Sequence, residues 1–292
     1  MKTIGFIGVG VMGAPMARNL LKGGYGLRVF DINAAAMEAL KQNGASPSRS
    51  PAEAANGADA VITMLPNGEH VEEALFGKDG AASAMAKGTL YIDMSTIAPT
   101  VTDRIAKRLA EQGIDVIDAP VGRTSQHAVD GKLLIMAGGS DAALARARPI
   151  LERMGDTIVH CGPVGSGARV KIVNNYMAIV ANTITAEALT LAEASGVDPE
   201  LARKVMLGTT AGMGHMSTTY PAKVLKGDLA PGFMVDLAAK DLGLAIEFAR
   251  TLGAPVATGE TAREVYERAK KAGRGRQDWT AIYAMTRESL GR

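Results

Sequence analysis

The chain has 292 residues, 47% hydrophobic and 21% charged, which is long enough for about two domains and ordinary for an enzyme-sized globule. A net charge of +2 without any run of like charge excludes a nucleic-acid or membrane-surface binder, and no stretch of about 18 apolar residues offers a transmembrane helix. Cys161 is the only cysteine, so an intramolecular disulfide is impossible and a cytoplasmic protein is expected.

Up to about residue 160, short β-rich runs alternate with amphipathic helical stretches. Strands are expected at 3–8, 27–31, 60–64, 89–93 and 116–118, followed by LLIMAG at 133–138 and TIVHC at 157–161. Between the early runs, APMARNLLKGG and PTVTDRIAKRLAEQG carry helical periodicity and close on glycine, a frequent helix stop. Such alternation implies right-handed βαβ units and a mostly parallel sheet with helices on both faces. The expected fold class is α/β, with a Rossmann-type domain over residues 1–165.

Directly after the first run stands Gly8-Val9-Gly10-Val11-Met12-Gly13, and then a helical pattern. In that context Gly8 permits a tight turn, Gly10 lets the backbone approach a pyrophosphate, and Gly13 lets helix and strand pack closely. The helix start supplies N–H donors to the anion. The second run ends VFD, which places Asp31 18 residues beyond Gly13. A carboxylate there accepts hydrogen bonds from an adenine-ribose diol and repels a 2′-phosphate, so NAD(H) is the expected cofactor. A plain glycine turn with an N-cap aspartate is the alternative. Ligands of open α/β sheets sit beyond the carboxyl ends of strands. Leu65 and Pro66 in TMLPNGEH, with Ser95 and Thr96 in IDMSTIAP, therefore border the same crevice unless they are simply turns.

The character changes after CGPVGSG at 161–167. From 168 to 195 there is neither proline nor glycine, which predicts one helix of 28 residues, about 42 Å long. That length suits a spine joining two domains or two subunits. DPELARKVML, FMVDLAAKDLGLAIEFARTLG and GETAREVYERAKKAG continue the helical character, so an all-α domain is expected over 166–292, joined through the long helix. On that helix Lys171, Asn174, Asn175 and Ala178 fall at i, i+3, i+4 and i+7, on one face. One reading makes Lys171 the proton donor and acceptor of an alcohol/aldehyde couple. Asn175 then fixes its ammonium or the substrate oxygen, and Asn174 binds substrate hydroxyls; a helix is a rigid mount for such groups. The other reading is a solvated polar face with a snorkelling lysine. His70, His127, His160 and His215 show no metal-ligand spacing, so no metal is expected. Asp236 and Asp241 flank Lys240 at i−4 and i+1; only Asp236 shares its face, and a helix-surface pair is the plainer account.

Four motifs in order resemble the β-hydroxyacid dehydrogenase family, which includes 3-hydroxyisobutyrate and tartronate semialdehyde reductases. They are FIGVGVMGAPMARNLL, DAPVGRT, GARVKIVNN and AAKDLGLA. The resemblance implies that Lys171 is the catalytic acid/base and that Lys240 contacts the cofactor from the helical domain. It makes Val11, Met12, Asp31, Leu65 and Thr96 cofactor neighbours. It further implies a small anionic aldehyde/alcohol substrate and a homo-oligomer, dimer or tetramer, with no nucleic-acid or membrane partner.

One loop departs from the family pattern. After Asp-Ala-Pro-Val the family usually has Ser-Gly-Gly, whereas this chain has Gly122-Arg123-Thr124-Ser125. An arginine brings a planar fork of N–H donors and a permanent charge, and two hydroxyls add donors in other directions. A tetrahedral sulfonate, with three acceptor oxygens, matches that set. This loop and the segment GRGRQDWTAI at 273–282 are similar to the 3-sulfolactaldehyde reductase branch. The implied reaction is NADH-dependent reduction of 3-sulfolactaldehyde to 2,3-dihydroxypropane-1-sulfonate. A longer or smaller carboxylate, succinate or tartronate semialdehyde, meets the same fork, and a lone turn arginine also fits a structural salt bridge. From another class, a non-catalytic NAD(H)-sensing module shares everything except a need for Lys171.

Overall fold

TIGFI forms β1 (Thr3–Ile7), in which every residue after Thr3 is buried, as a strand covered on both faces requires. In the computed structural model, residues 3–194, 196–208, 214–215, 218–251 and 257–290 are described. Parallel to β1 lie β2 (Gly26–Phe30), β3 (Ser46–Pro47), β4 (Ala60–Thr63), β5 (Leu90–Asp93) and β6 (Asp115–Asp118), in the order β3-β2-β1-β4-β5-β6. That order is the doubly wound dinucleotide-binding arrangement. Beyond β6, the strand β8 (Leu133–Gly138) runs antiparallel to β6 and to the short β7 (Val121–Gly122). β9 (Gly155–Gly162) pairs parallel with β8. The two-residue β3 and β7 carry no periodicity, which is why they were not expected.

Alternate strand residues point into two separate cores, as the period of two demands. Ile4, Phe6, Ile62 and Ile92 meet one face, against Met16 and Leu20 of α1 (Gly13–Lys22). That face also takes α2 (Ala34–Lys41) through Leu40. Ile7, Val61 and Tyr91 meet the other face. There the cover comes from Ala54 of α3 (Pro51–Ala55), Leu75 of α4 (Gly68–Phe76) and Leu109 of α5 (Pro99–Ala110). The first face is completed by α6 (Ser125–Val129) through Ala128 and α7 (Asp141–Leu151) through Leu144 and Ile150. Helices therefore cover both faces.

The predicted long helix is α8 (Ser166–Ala194), 29 residues. The chain divides into two compact units, Met1–Lys171 and Ile172–Arg292, and the division falls inside α8. The second unit continues with α9 (Pro199–Leu207), α10 (Thr219–Ala222), α11 (Val235–Thr251), α12 (Ala257–Ala269) and α13 (Ala281–Glu288). Its core joins Ile179 and Leu189 of α8 to Tyr220, Leu242, Ile246, Tyr266 and Ile282. No helix among the described residues is long and apolar enough to cross a membrane.

The start of α8 is fixed by a group that sequence proximity hides. Asp118, the last residue of β6, is buried and accepts from Gly165 N–H at 2.6 Å and Ala168 N–H at 2.7 Å. Burial pushes its carboxyl up to about 7, against the pull of those two donors and with a further rise from the Asp93 charge. That value exceeds the unfolded one of about 4, so the folded state binds the proton more tightly. The stability Asp118 contributes is therefore present below about pH 4 and declines as pH rises to about 7. Asp118→Asn is expected to lower Tm throughout, since an amide cannot accept both N–H groups, and also to flatten the decline between about pH 5 and 8. Parallel Tm–pH curves for the two proteins would show that Asp118 does not titrate there.

Candidate active site

The turn after β1 is built so that a helix end meets open space. Gly8 adopts φ 92°, and its N–H bonds the carbonyl of Phe30 at 2.9 Å. A Cβ at Gly13 would lie 1.9 Å from the Gly8 carbonyl oxygen, so that glycine is required by the fold itself. Gly10 differs: a Cβ there would meet nothing within 4 Å. The first turn of α1 has no side-chain cap and no acidic residue; the Ala14 N–H is taken by the Gly10 carbonyl at 2.9 Å and Pro15 carries none, so what favours an anion at this end is the positive pole of the helix with no carboxylate beside it. Val11 is 79% exposed at the same end. At the end of β2, Asp31 Oδ2 accepts from Val9 N–H and Oδ1 from Asn33 N–H, both at 2.8 Å. Gly8, Gly10, Val11, Met12, Gly13 and Asp31 thus share one edge, and the bare Gly10 and uncapped helix fit a dinucleotide pyrophosphate.

The ends of β4 and β5 are tied together beside this turn. Ser95 Oγ accepts from Leu65 N–H at 2.9 Å, and Ser95 N–H donates to Asp93 Oδ1 at 3.0 Å. Thr63 Oγ1 also donates to Asp93 Oδ1, and Tyr91 OH lies 2.6 Å from Thr63 Oγ1. Burial pushes the Asp93 carboxyl up to about 6, with the bonds from Ser95 and Thr63 opposing it. Ser95 is therefore a buried brace between two loops, while Pro66 is exposed and Leu65 and Thr96 are half-buried. Neither Asp93 nor Thr63 was marked by any motif; both lie within strands that read simply as core.

After β7 the chain enters the loop Gly122-Arg123-Thr124-Ser125. Arg123 adopts φ 75°, one of two non-glycine residues with positive φ among the described residues. Its Nη1 donates to Asp156 Oδ1 at 2.6 Å and to the carbonyl of Lys132 at 2.5 Å, and its Nη2 donates to Thr157 Oγ1 at 3.1 Å. The salt-bridge alternative is thus present in the structure. Thr124 Oγ1 lies 2.9 Å from His127 Nδ1 at the start of α6, and Ser125 is the first residue of that helix.

On α8, Lys171 is half-buried at the end of the first unit. In the second unit Asn174 is exposed, Asn175 is buried and Ala178 is half-buried. Asn174 Nδ2 donates to Asn175 Oδ1 at 3.3 Å, and Asn175 Nδ2 donates to Asp241 Oδ2 at 2.5 Å. Asp241 is 3% exposed and sits 2.9 Å from Lys240 Nζ through Oδ1. It is a buried carboxylate joining the two implied site residues, Asn175 and Lys240. His215 Nε2 lies 2.6 Å from the Ala178 carbonyl, and burial lowers the pKa of its ring.

Residues 3–162 match the NAD-binding domain of 6-phosphogluconate dehydrogenase, and residues 165–286 match the NAD-binding region of NADP-dependent 3-hydroxyisobutyrate dehydrogenase. The chain belongs to the β-hydroxyacid dehydrogenase family. It is an NAD-dependent oxidoreductase of that type and binds NAD(H), and the sensing-module alternative falls. Among similar β-hydroxyacid dehydrogenases, the 3-sulfolactaldehyde reductase of Escherichia coli is 50% identical over 291 residues, covering 100% of this chain and 98% of that protein. The NAD-dependent L-serine dehydrogenase of Pseudomonas aeruginosa is 40% identical over 97% of each chain. The solved 3-hydroxyisobutyrate dehydrogenase of Mycobacterium tuberculosis, with L-serine, aligns at a TM-score of 0.91 and 36% identity over 98% of this chain and 99% of that one.

Proposed function

We propose that this dehydrogenase reduces 3-sulfolactaldehyde to 2,3-dihydroxypropane-1-sulfonate, with NADH preferred over NADPH. The observation that carries the reading is the backbone of Arg123. At φ 75° the position suits glycine, the residue that the family pattern has there, and a side chain costs about 1 kcal/mol. A large cation kept in a strained conformation points to work done by its side chain. Arg123 binds the sulfonate, with Gly122, Thr124 and Ser125 shaping the loop around it. The resemblance to the E. coli enzyme named for this substrate supports the same reading.

When bound, the dinucleotide supplies the hydride. Gly8, Gly10, Val11, Met12 and Gly13 hold its pyrophosphate, Asp31 its adenosine ribose, and Leu65, Pro66 and Thr96 border it; Lys240 contacts it as well. Lys171 gives its proton to the aldehyde oxygen as the alcohol forms. Asn175 orients that oxygen, and Asn174 and the backbone near Ala178 bind the substrate hydroxyl. Asp31 repels a 2′-phosphate, which supports NADH. A homo-oligomer in the cytoplasm belongs to the same proposal. Its support is the exposed apolar set Val173, Met177 and Ile184 on α8 with Leu201 and Val205 on α9, together with the absence of any cysteine pair.

The test is kcat/KM for 3-sulfolactaldehyde beside succinate semialdehyde and tartronate semialdehyde, with NADH and with NADPH. A preference of about a hundredfold for the sulfonate, roughly 2.7 kcal/mol of discrimination, is expected with NADH. Arg123→Ala should raise KM for the sulfonate about 10- to 150-fold, the range for losing a charged hydrogen bond. Equal or faster turnover of either carboxylate would overturn the sulfonate assignment and leave Arg123 a general anion anchor.

A further inference from the structure

Arg123 as the anion anchor raises a question of aim, because a guanidinium recognises a two-oxygen anion through one edge of its plane. Three acceptors meet it in this structure, and all lie at the same end of two strands. Lys132 immediately precedes β8, and Asp156 and Thr157 lie near the start of β9. The pairing of β8 with β9 is irregular there: Leu133 pairs with Gly155 and Leu134 with Thr157. Asp156 is thus an extra residue, a β-bulge. In a regular strand Asp156 and Thr157 would point to opposite faces. The bulge turns both toward Arg123, and Thr157 Oγ1 further donates to Asp156 Oδ1 at 2.8 Å. Bulges near active sites commonly re-aim a side chain in this way.

Donor arithmetic shows what the cradle leaves. The guanidinium has five N–H groups. Lys132 O and Asp156 take both on Nη1, and Thr157 takes one on Nη2. The Nε–H and the second Nη2–H have no acceptor among the described residues. We infer that Asp156 and Thr157 are positioning residues, which hold one edge of the Arg123 fork so that its Nε–Nη2 edge meets the substrate anion. The inference rests on Arg123 as the anion anchor. It adds a source of specificity that the loop itself lacks: the acceptors come from β9, more than 30 residues away in sequence.

The pair is solvent-accessible, with 32% of the Arg123 side chain and 48% of that of Asp156 exposed, so replacing the acid leaves the fold intact. Asp156→Ala is expected to raise KM for 3-sulfolactaldehyde about fivefold with kcat little changed, while KM for the uncharged glyceraldehyde stays as it was. Asp156→Asn keeps an acceptor for Nη1 and should stay within about twofold of the native KM. Thr157→Val should shift KM in the same direction as Asp156→Ala, and neither change should add to the defect of Arg123→Ala. If Arg123→Ala raises KM while Asp156→Ala leaves it unchanged, the positioning role fails and the anchor stands. A lower KM in Asp156→Ala also overturns it, because Asp156 would then compete with the substrate. If Arg123→Ala has no effect on KM, the anchor reading fails and takes this inference with it.

Discussion

Lys171→Ala is expected to cut kcat by about 10²- to 10⁴-fold and to leave NADH affinity and Tm close to native values. The lysine stands at the last position of the first unit, one helical turn before Asn175, on a helix whose start is locked to the sheet by Asp118. A group held on so rigid a mount keeps its place when a neighbour changes, so the loss should be chemical rather than structural. Reduction of an aldehyde leaves charge on oxygen until a proton arrives, and water supplies that proton from no fixed position. Lys171→Arg is the sharper variant, since it preserves charge and much of the volume while its proton is bound too tightly to give up. Both variants should be slow. Steady-state kcat, NADH fluorescence titration and thermal melts distinguish the possibilities. Retention of more than a tenth of native kcat in Lys171→Ala would remove it as the proton donor. Joint loss of turnover and NADH binding would instead make Lys171 part of the cofactor site.

The regular elements were legible because their signals are local. Residues 60–64 and 89–93 read as buried strands from composition, and β4 and β5 occupy those runs with every residue buried. The mostly parallel sheet followed from the strand–helix alternation, and the GxGxxG turn from its place between strand and helix. What escaped depends on contacts between distant residues. Asp118 reads as the end of a strand, yet its carboxylate caps a helix some 50 residues later. Asp241 follows Lys240 directly, and that spacing alone does not show that α11 turns it inward to Asn175. The strand expected at 157–161 begins at Gly155 instead, because glycine and aspartate are poor strand formers and a bulge makes no periodic pattern. Arg123 was singled out as a cation in a turn; its left-handed backbone and its partners on β9 have no one-dimensional signature.

The glycines of the first turn give the second large effect, and they separate two reasons for having no side chain. At Gly13 an added methyl would overlap the Gly8 carbonyl oxygen at 1.9 Å, and backbone on that side cannot rotate away. Gly13→Ala must push α1 off β1, where Met16 and Leu20 pack against Ile4 and Phe6. Overpacking of this kind costs about 1–3 kcal/mol, so Tm should fall by several degrees and NADH affinity should fall with it. At Gly10 nothing in the protein occupies the space a methyl would take, and its φ is not in the left-handed region. The fold alone therefore gives no reason for glycine at position 10, and a ligand that comes within van der Waals contact of the backbone does. Gly10→Ala is accordingly expected to keep Tm within about 1 °C of native and to weaken NADH binding by tenfold or more, about 1.4 kcal/mol. Native affinity in Gly10→Ala would mean that the pyrophosphate does not lie on this turn. In that case the uncapped start of α1 would have to bind it from another side.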